Sequence, residues 1–320
     1  MPKGHDPKFC RGRRWGHDGG MNFRRIECFL AVVDSGTVTA AAEELHVAQP
    51  ALSRQLKTLE RELKLTLFEP QGSRLGLTSA GRALVEPARR LMAEARSFDG
   101  AASTLRTGRV EELVAATTSA SLRSFLAPFI ATTGVDDPRI TTREVGHFEM
   151  TEALRHGCDF AVSPAAPEGA LATALLGQVP IKAFVAARHE WARSGVTELP
   201  LSAFEGSTAI IATRHSASRY VLDDALSRAG ITFPHVTECD DGQTILALAA
   251  AGRGVGFSTD RPKYGAHPII VLDDAGGDRR PLALPLHVAW LPGHFAEETI
   301  AAFAVRIRRF LLENGTTIAE

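Results

Sequence analysis

From residue 21 the chain alternates apolar and polar positions with helical periodicity. Ile26, Phe29, Leu30 and Val33 fall at i, i+3, i+4 and i+7, and Gly36 follows where a left-handed residue would end the helix. Thr37 can cap a short second helix whose Val38, Ala41, Ala42 and Leu45 permit close approach to a neighbour. A three-residue connection, His46–Val47–Ala48, leads into a third helix entered through Gln49 and Pro50, where proline's missing N–H costs little. Leu52, Leu56, Leu59 and Leu63 form its apolar stripe. At 100° per residue, Pro50, Arg54, Lys57 and Arg61 project to the other side.

A cationic helix face by itself is better read as a solvated surface, with Glu60 and Glu62 nearby. Context changes that reading. A short helix, a tight turn and a longer helix with a basic outer face make a helix-turn-helix, whose second helix fits the major groove and reads base edges from its first turns. Farther on, Leu84, Ala88, Leu91, Ala95, Phe98, Ala102 and Leu105 recur at alternating spacings of four and three, a heptad seam. One helix from Ser79 to Arg106 would be about 42 Å long, and its seam asks for a partner, a second copy of the chain or, alternatively, the chain's own C-terminal domain. Pro87 can bend it near its start.

After residue 108 short apolar runs alternate with amphipathic segments. Strands are expected at 112–117, 139–145, 158–162, 181–187, 208–212, 234–239, 255–258 and 284–291, and helices at 121–132, 149–156, 217–229, 242–251 and 295–313. This order predicts α/β layers with a largely parallel sheet covered on both faces, and two hundred residues could hold two small lobes. In such sheets ligands settle beyond the carboxyl ends of the strands, where helix N-termini offer unpaired N–H groups. Thr118, Ser119 and Ser121 follow the first strand and suit a small anion, although helix capping alone would also explain them. Thr213 and Arg214 after a later strand, and Phe257 after the glycines, are weaker candidates for the same pocket. Gly252, Gly254 and Gly256 leave a helix and enter a strand, the wrong order for a dinucleotide fingerprint.

Composition refines this picture. Among 320 residues the net charge is −1, yet residues 1–109 carry 18 Lys or Arg against 12 Asp or Glu, hence +6, and the remainder carries −7. Polyanion contact therefore belongs to the first third. Cys10, Cys28, Cys158 and Cys239 are too scattered for a disulfide framework or zinc site, and no metal or cofactor is implied. No apolar run is long enough to span a bilayer, so a cytoplasmic protein without membrane contact is expected. Residues 1–20 lack periodicity and read as a disordered extension. No G-x-S-x-G, H-E-x-x-H or P-loop motif is present, and Cys158, paired in imagination with His147, begins a buried strand. Catalysis has no positive support.

The stretch TVTAAAEELHVAQPALSRQLKTLERELKLTLFEPQGSRLGLTSAGRALV, residues 37–85, resembles the winged helix-turn-helix of the LysR-type transcriptional regulators. Ala41–Ala42, Gln49–Pro50, Ser53–Arg54, Leu59–Glu60, Leu67–Phe68 and Leu77–Thr78-x-Ala80–Gly81 carry the match. TEALRHGCDFAV at 151–162 and TILALAAAGRGVGF at 244–257 resemble signatures of the family's effector-binding domain, and alignment by TEAL implies that His147, with Phe148 beside it, takes a position in the effector pocket, where its imidazole would bond an anion or merely fill space. The resemblance implies that Gln49, Pro50, Ser53, Arg54 and Lys57 meet double-stranded operator DNA, with Thr37 at the start of the preceding helix and Arg74 in a wing over 69–77. It also implies a DNA-binding domain at 21–78, a dimerising linker helix at 79–107, and an effector domain at 108–320. Within that domain, lobe one covers about 110–178 and 288–313, lobe two about 179–287, and the crossings fall near Gln178 and Leu286, as in periplasmic solute-binding proteins. The expected function is a homodimeric or homotetrameric regulator controlled by a small molecule, a small organic acid among the candidates. The alternative is a small-molecule-binding protein or enzyme whose N-terminal domain serves only for dimerisation. Three departures stand out: Ala48 where a Ser or Thr cap is usual, Lys64 in place of a glycine, and Pro70 in place of an arginine.

Overall fold

The computed structural model describes residues 22–71, 74–164, 169–273 and 279–318, so the expectation for residues 1–20 lies outside the described residues. They form two units, one running through Asp99 with Arg155–Gly157, the other holding Gly100–Leu154 and the chain from Cys158 onward.

In the first unit α1 (Phe23–Ser35) ends on Gly36 at φ 73°. Thr37 caps α2 (Val38–Glu44), its hydroxyl accepting from the Ala40 N–H at 3.1 Å. The turn to α3 (Gln49–Leu63) is a Schellman motif: His46 is left-handed at φ 51°, and the Val47 N–H reaches the Ala42 carbonyl at 2.9 Å. Ala48 offers α3 no side-chain cap, and Lys64 ends it at φ 54°, the strain that a side chain incurs where glycine is at ease. Leu52, Leu56 and Leu59 are buried against Phe29, Val32 and Ala41, each such side chain worth ~1.5–3 kcal/mol. Leu63 is exposed and leaves the expected stripe. The wing is a hairpin of β1 (Phe68–Gln71) and β2 (Arg74–Leu77). Thr78 then starts α4 (Ser79–Thr107), which runs unbroken through Pro87. Gly81 is required there, because a Cβ would fall 2.2 Å from the Leu67 carbonyl oxygen.

The second unit contains two sheets. Lobe one takes β3 (Glu112–Thr117), α5 (Ser119–Ser121), a π turn over Leu122–Leu126, α6 (Ala127–Ile130), β4 (Arg139–Glu144), α7 (Met150–Arg155), β5 (Phe160–Ser163) and β6 (Ala172–Pro180). Lobe two takes β7 (Lys182–Val185), α8 (Glu190–Arg193), β8 (Glu198–Pro200), β9 (Thr208–Ala212), α9 (Ala217–Ala229), β10 (His235–Cys239), α10 (Gly242–Ala250), β11 (Val255–Ser258), β12 (His267–Asp273) and β13 (Arg280–Pro281). The chain returns to lobe one through β14 (Ala283–Trp290) and ends in α11 (Glu297–Glu313). The strand orders are β4-β3-β5-β14-β6 and β10-β9-β11-β7-β12-β13, with β8 beside β12.

The sheets are mixed, which corrects the expectation of a largely parallel one. β14 runs antiparallel to β5 and β6, and β7 antiparallel to β11 and β12. The two passages between lobes cause this, since each enters its sheet against the direction set by the β-α-β units. They also lie side by side: the Ile181 N–H donates to the Leu282 carbonyl at 2.7 Å. The expected helix at 121–132 is broken by the π turn, where the Ala127 N–H reaches back to Leu122. Pro128, which follows, cannot donate to the Ser124 carbonyl as an α-helix would need.

In lobe one Asp137 receives a bidentate pair from Arg306, at 2.6 and 2.9 Å, and the Gly134 N–H at 2.9 Å. First the Arg306 bonds and then that amide hold its carboxyl down at about 2. An unfolded Asp titrates near ~3.9, so this stabilisation is complete above about pH 4 and is lost as pH falls through about 2. Asp137→Asn is expected to cost ~1–2 kcal/mol at pH 7, discounted for partial exposure. The difference in Tm from the unsubstituted protein should narrow below pH 4 and close near pH 2; a difference independent of pH would refute the assignment.

Candidate nucleic-acid interface and ligand cleft

On α3, Gln49, Pro50, Arg54 and Lys57 are exposed and Ser53 is half-buried, so the first two turns present the polar face expected of them. What the sequence did not reveal is the fate of the acidic residues. Glu60 turns to the wing, its Oε1 accepting from the Leu67 N–H at 2.7 Å and the Phe68 N–H at 3.3 Å. Glu62 is drawn to Arg25 of α1 at 2.5 Å. Both carboxylates are thus engaged within the unit, Glu62 while still exposed, and Arg54 and Lys57 keep their charge outward. Arg54 makes one weak bond, to the Pro50 carbonyl at 3.4 Å. Thr37 spends its hydroxyl on the α2 cap. Arg74 begins β2, and its side chain lies outside the described residues.

Along α4 the seam divides. Leu84 and Ala88 pack against the core of α1–α3, which corrects their assignment to an intermolecular seam. Leu91 and Ala95 are half-buried, whereas Phe98 is 70% exposed, Leu105 88%, and Ala102 is also exposed. The apolar face without cover is therefore the C-terminal half of the helix.

The lobes meet at the carboxyl ends of β3, β4, β9, β10 and β11. Thr118 caps α5: its hydroxyl accepts from the Ser121 N–H at 3.2 Å and donates to Ser121 Oγ at 3.1 Å. Ser119 takes no part in this cap. His147 is half-buried, and burial pushes its imidazole below its usual value, toward the neutral form. Its Nδ1 is buried with no hydrogen-bond partner among the described residues. Phe148, 68% exposed, stacks edge-on against His147 and also against Tyr220 of lobe two, with ring centroids 6.0 Å apart in the second pair. Thr213 donates to Asp240 at 2.9 Å, and Arg214 is exposed. Phe257 is a correction: it is 2% exposed and packs on Phe204 and Phe233 in the lobe-two core, pointing away from the cleft. Cys158 is buried beneath α7, which removes it as a nucleophile.

Several cleft residues escaped the sequence reading. The π turn delivers Arg123 to Asp241 at 2.7 Å and Ser124 to Asp260 at 3.2 Å, both contacts joining the lobes. Arg261 donates to Thr316 at 2.8 Å, again from lobe two to lobe one. His287 of β14, in register with Ser163, has a second buried Nδ1 without a hydrogen-bond partner among the described residues, and burial lowers its pKa too. Lys182, at the passage between lobes, is pushed below the ordinary lysine range, first by burial and then by Arg261, with Asp260 opposing. The one signal in the sequence was Asp260 itself, a charge two positions after the apolar strand GVGFS.

Two family models match the chain: the one described as bacterial regulatory helix-turn-helix protein, lysR family, over residues 23–82, and the one described as LysR substrate binding domain, over residues 106–311. The nitrogen assimilation regulatory protein nac of Escherichia coli is 30% identical over 245 residues, 73% of this chain and 77% of that protein. The transcriptional activator protein LysR of the same organism is 28% identical over 278 residues, 84% of this chain and 86% of that one. Full-length CbnR complexed with its target DNA has a similar fold, with a TM-score of 0.65 at 22% identity, covering 91% of this chain and 99% of that one.

The wing fastening is open to test. Glu60→Ala leaves two amides without their acceptor and is expected to cost ~1–2 kcal/mol. Hydrogen exchange at Leu67 and Phe68 should accelerate while that of α1 stays as it is; unchanged protection at both would rule the fastening out.

Proposed function

This chain belongs to the LysR family of bacterial helix-turn-helix regulators, a DNA-binding transcriptional regulator with an effector-binding domain, and from that premise we propose which of its residues meet each ligand. Gln49, Pro50, Ser53, Arg54 and Lys57 enter the major groove, with Thr37 beside them and Arg74 of the wing on phosphate or in the minor groove. The observation that supports this is the engagement of Glu60 by the wing amides and of the exposed Glu62 by Arg25, which leaves Arg54 and Lys57 exposed without a carboxylate partner among the described residues. Residues 21–78 are the DNA-binding domain, 79–107 the linker helix and 108–320 the effector domain. The exposed seam of Phe98, Ala102 and Leu105 pairs with a second copy, so that two recognition helices address successive turns of DNA in a homodimer or homotetramer.

The effector, a small molecule, sits between the lobes against Ser119, His147, Phe148 and Arg214, with Thr118, Ser121 and Thr213 holding the loops that carry them. A neutral imidazole with an uncommitted nitrogen offers such a molecule a hydrogen bond at little desolvation cost. Binding that favours one relative placement of the lobes supplies the coupling, typically ~1–3 kcal/mol in such systems. The protein works in the cytoplasm and is not an enzyme: its relatives are regulators, and among the described residues the thiol beside the cleft is buried in a core. No helix is long and apolar enough to cross a membrane among the described residues.

Two substitutions separate base reading from phosphate contact. Arg54→Ala is expected to weaken operator binding by ~1–3 kcal/mol and to relax preference at one base pair. Lys57→Ala should weaken specific and random duplexes alike and reduce the slope of log K against log salt by about 1. Equal, salt-independent affinities in all three proteins would leave only the reading in which the N-terminal domain serves for dimerisation.

A further inference from the structure

After α11 the chain turns back on Gly315, left-handed at φ 58°, with the Thr316 N–H on the Leu311 carbonyl at 2.9 Å. Residues 316–318 then lie along the outer edge of β6, the last strand of the lobe-one sheet. There Ile318 and Gln178 exchange backbone hydrogen bonds at 2.8 and 3.2 Å, just before the passage into lobe two at Ile181. Gly177 leaves the room for this: a Cβ on it would fall 2.9 Å from Thr317 Cβ. Thr316 and Thr317 are buried, and the Thr317 hydroxyl has no hydrogen-bond partner among the described residues, a cost that the tail bears in its seat.

The tail also reaches lobe two. Arg261 Nη2 donates to Thr316 Oγ1 at 2.8 Å, and the residue before it, Asp260, accepts from Ser124 of lobe one at 3.2 Å. Two successive residues of one lobe-two loop are thus held by lobe one, the first by its body and the second by its tail. The two attachments of the tail answer differently to motion. Ile318 is bonded to Gln178 of its own lobe and travels with it, whereas Arg261 follows β11 and travels with lobe two. Rotation of the lobes about the two passages therefore parts Arg261 from Thr316 and leaves Ile318 in place.

We propose that the tail is a stop for lobe movement, in which Thr316 acts as a positioning residue: bonded to Arg261, it holds the lobes in their present placement, and a small molecule that favours another placement must first break that bond. Its regulatory meaning rests on the reading that lobe placement carries the effector's signal.

Hydrogen exchange of the full chain, free of any added ligand, tests this. Thr316→Val keeps the shape of the side chain and removes the acceptor. The Asp260 amide, on a residue 2% exposed, should exchange about three- to tenfold faster, the worth of one net hydrogen bond, while the amides of β9 and of Ile318 keep their rates. Thr316→Ser, which retains the hydroxyl, should restore the slow rate. Arg261→Met should match Thr316→Val, with no further gain when the two are combined. An unchanged Asp260 amide, acceleration confined to residues 316–318, acceleration extending equally through β9, or additive effects in the combined variant would each overturn the proposal. If Thr316→Val does not fold, Arg261→Met, altered at an exposed residue, decides by the same amides. Binding of the unsubstituted protein to duplex DNA is measured separately; its absence would refute the regulator reading and leave the exchange result standing.

Discussion

The cleft depends on two strands that pass between the lobes side by side. Ile181 and Leu282 are both buried and share a backbone hydrogen bond, so the lobes are joined at one edge by a doubled, water-free connection. A double passage limits how far the lobes can slide while leaving rotation about it open, and it sets the strands on either side antiparallel. The carboxyl ends of β3 and β4 are thereby brought opposite those of β9, β10 and β11. Arg123, Ser124, Asp241, Asp260 and Arg261, which bridge the lobes, sit on turns or loops at those ends, Tyr220 on α9, and Thr316 on the tail after α11.

Polar contacts across this opening carry unusual weight because they are partly dry. Ser124, Ser258 and Asp260 form a closed set in which every hydroxyl and carboxylate oxygen has a task, the condition under which a buried polar group rigidifies instead of destabilising. His147 and His287 are the opposite case, with nitrogens buried and unused. The same cleft thus contains polar groups already satisfied by the protein and others that ask for a partner. That division gives a ligand a defined place and orientation.

The DNA-binding unit is governed by where its carboxylates go. Glu60 and Glu62 lie on the same helix as Arg54 and Lys57, and had all four been unengaged their fields would have largely cancelled. The Leu67 and Phe68 amides capture one acid and Arg25 the other, still exposed, so local structure leaves Arg54 and Lys57 facing outward without a carboxylate partner among the described residues. The same bonds hold the wing against the recognition helix, making charge distribution and shape parts of one arrangement.

By itself the sequence determined the elements whose stability is local. The three N-terminal helices, their caps at Gly36 and Thr37, the wing, the long helix and the eight strands anticipated in the effector domain follow from periodicity, turn chemistry and apolar runs that each segment carries within itself. The exposed basic residues of α3 were legible for the same reason. Strands β6, β8, β12 and β13 were not, because they are short, contain Pro or Gly, or lie at sheet edges where pairing with a distant strand supplies the stability. Tertiary structure alone decided that the sheets are mixed, that Phe257 serves the core, that Leu84 and Ala88 are covered by their own unit, and that Asp260 joins the lobes. Each of these depends on a partner far away in the chain, Asp260 on a serine 136 positions earlier; hydrophobic pattern registers how a residue relates to its own helix or strand and contains nothing about which distant group will arrive beside it.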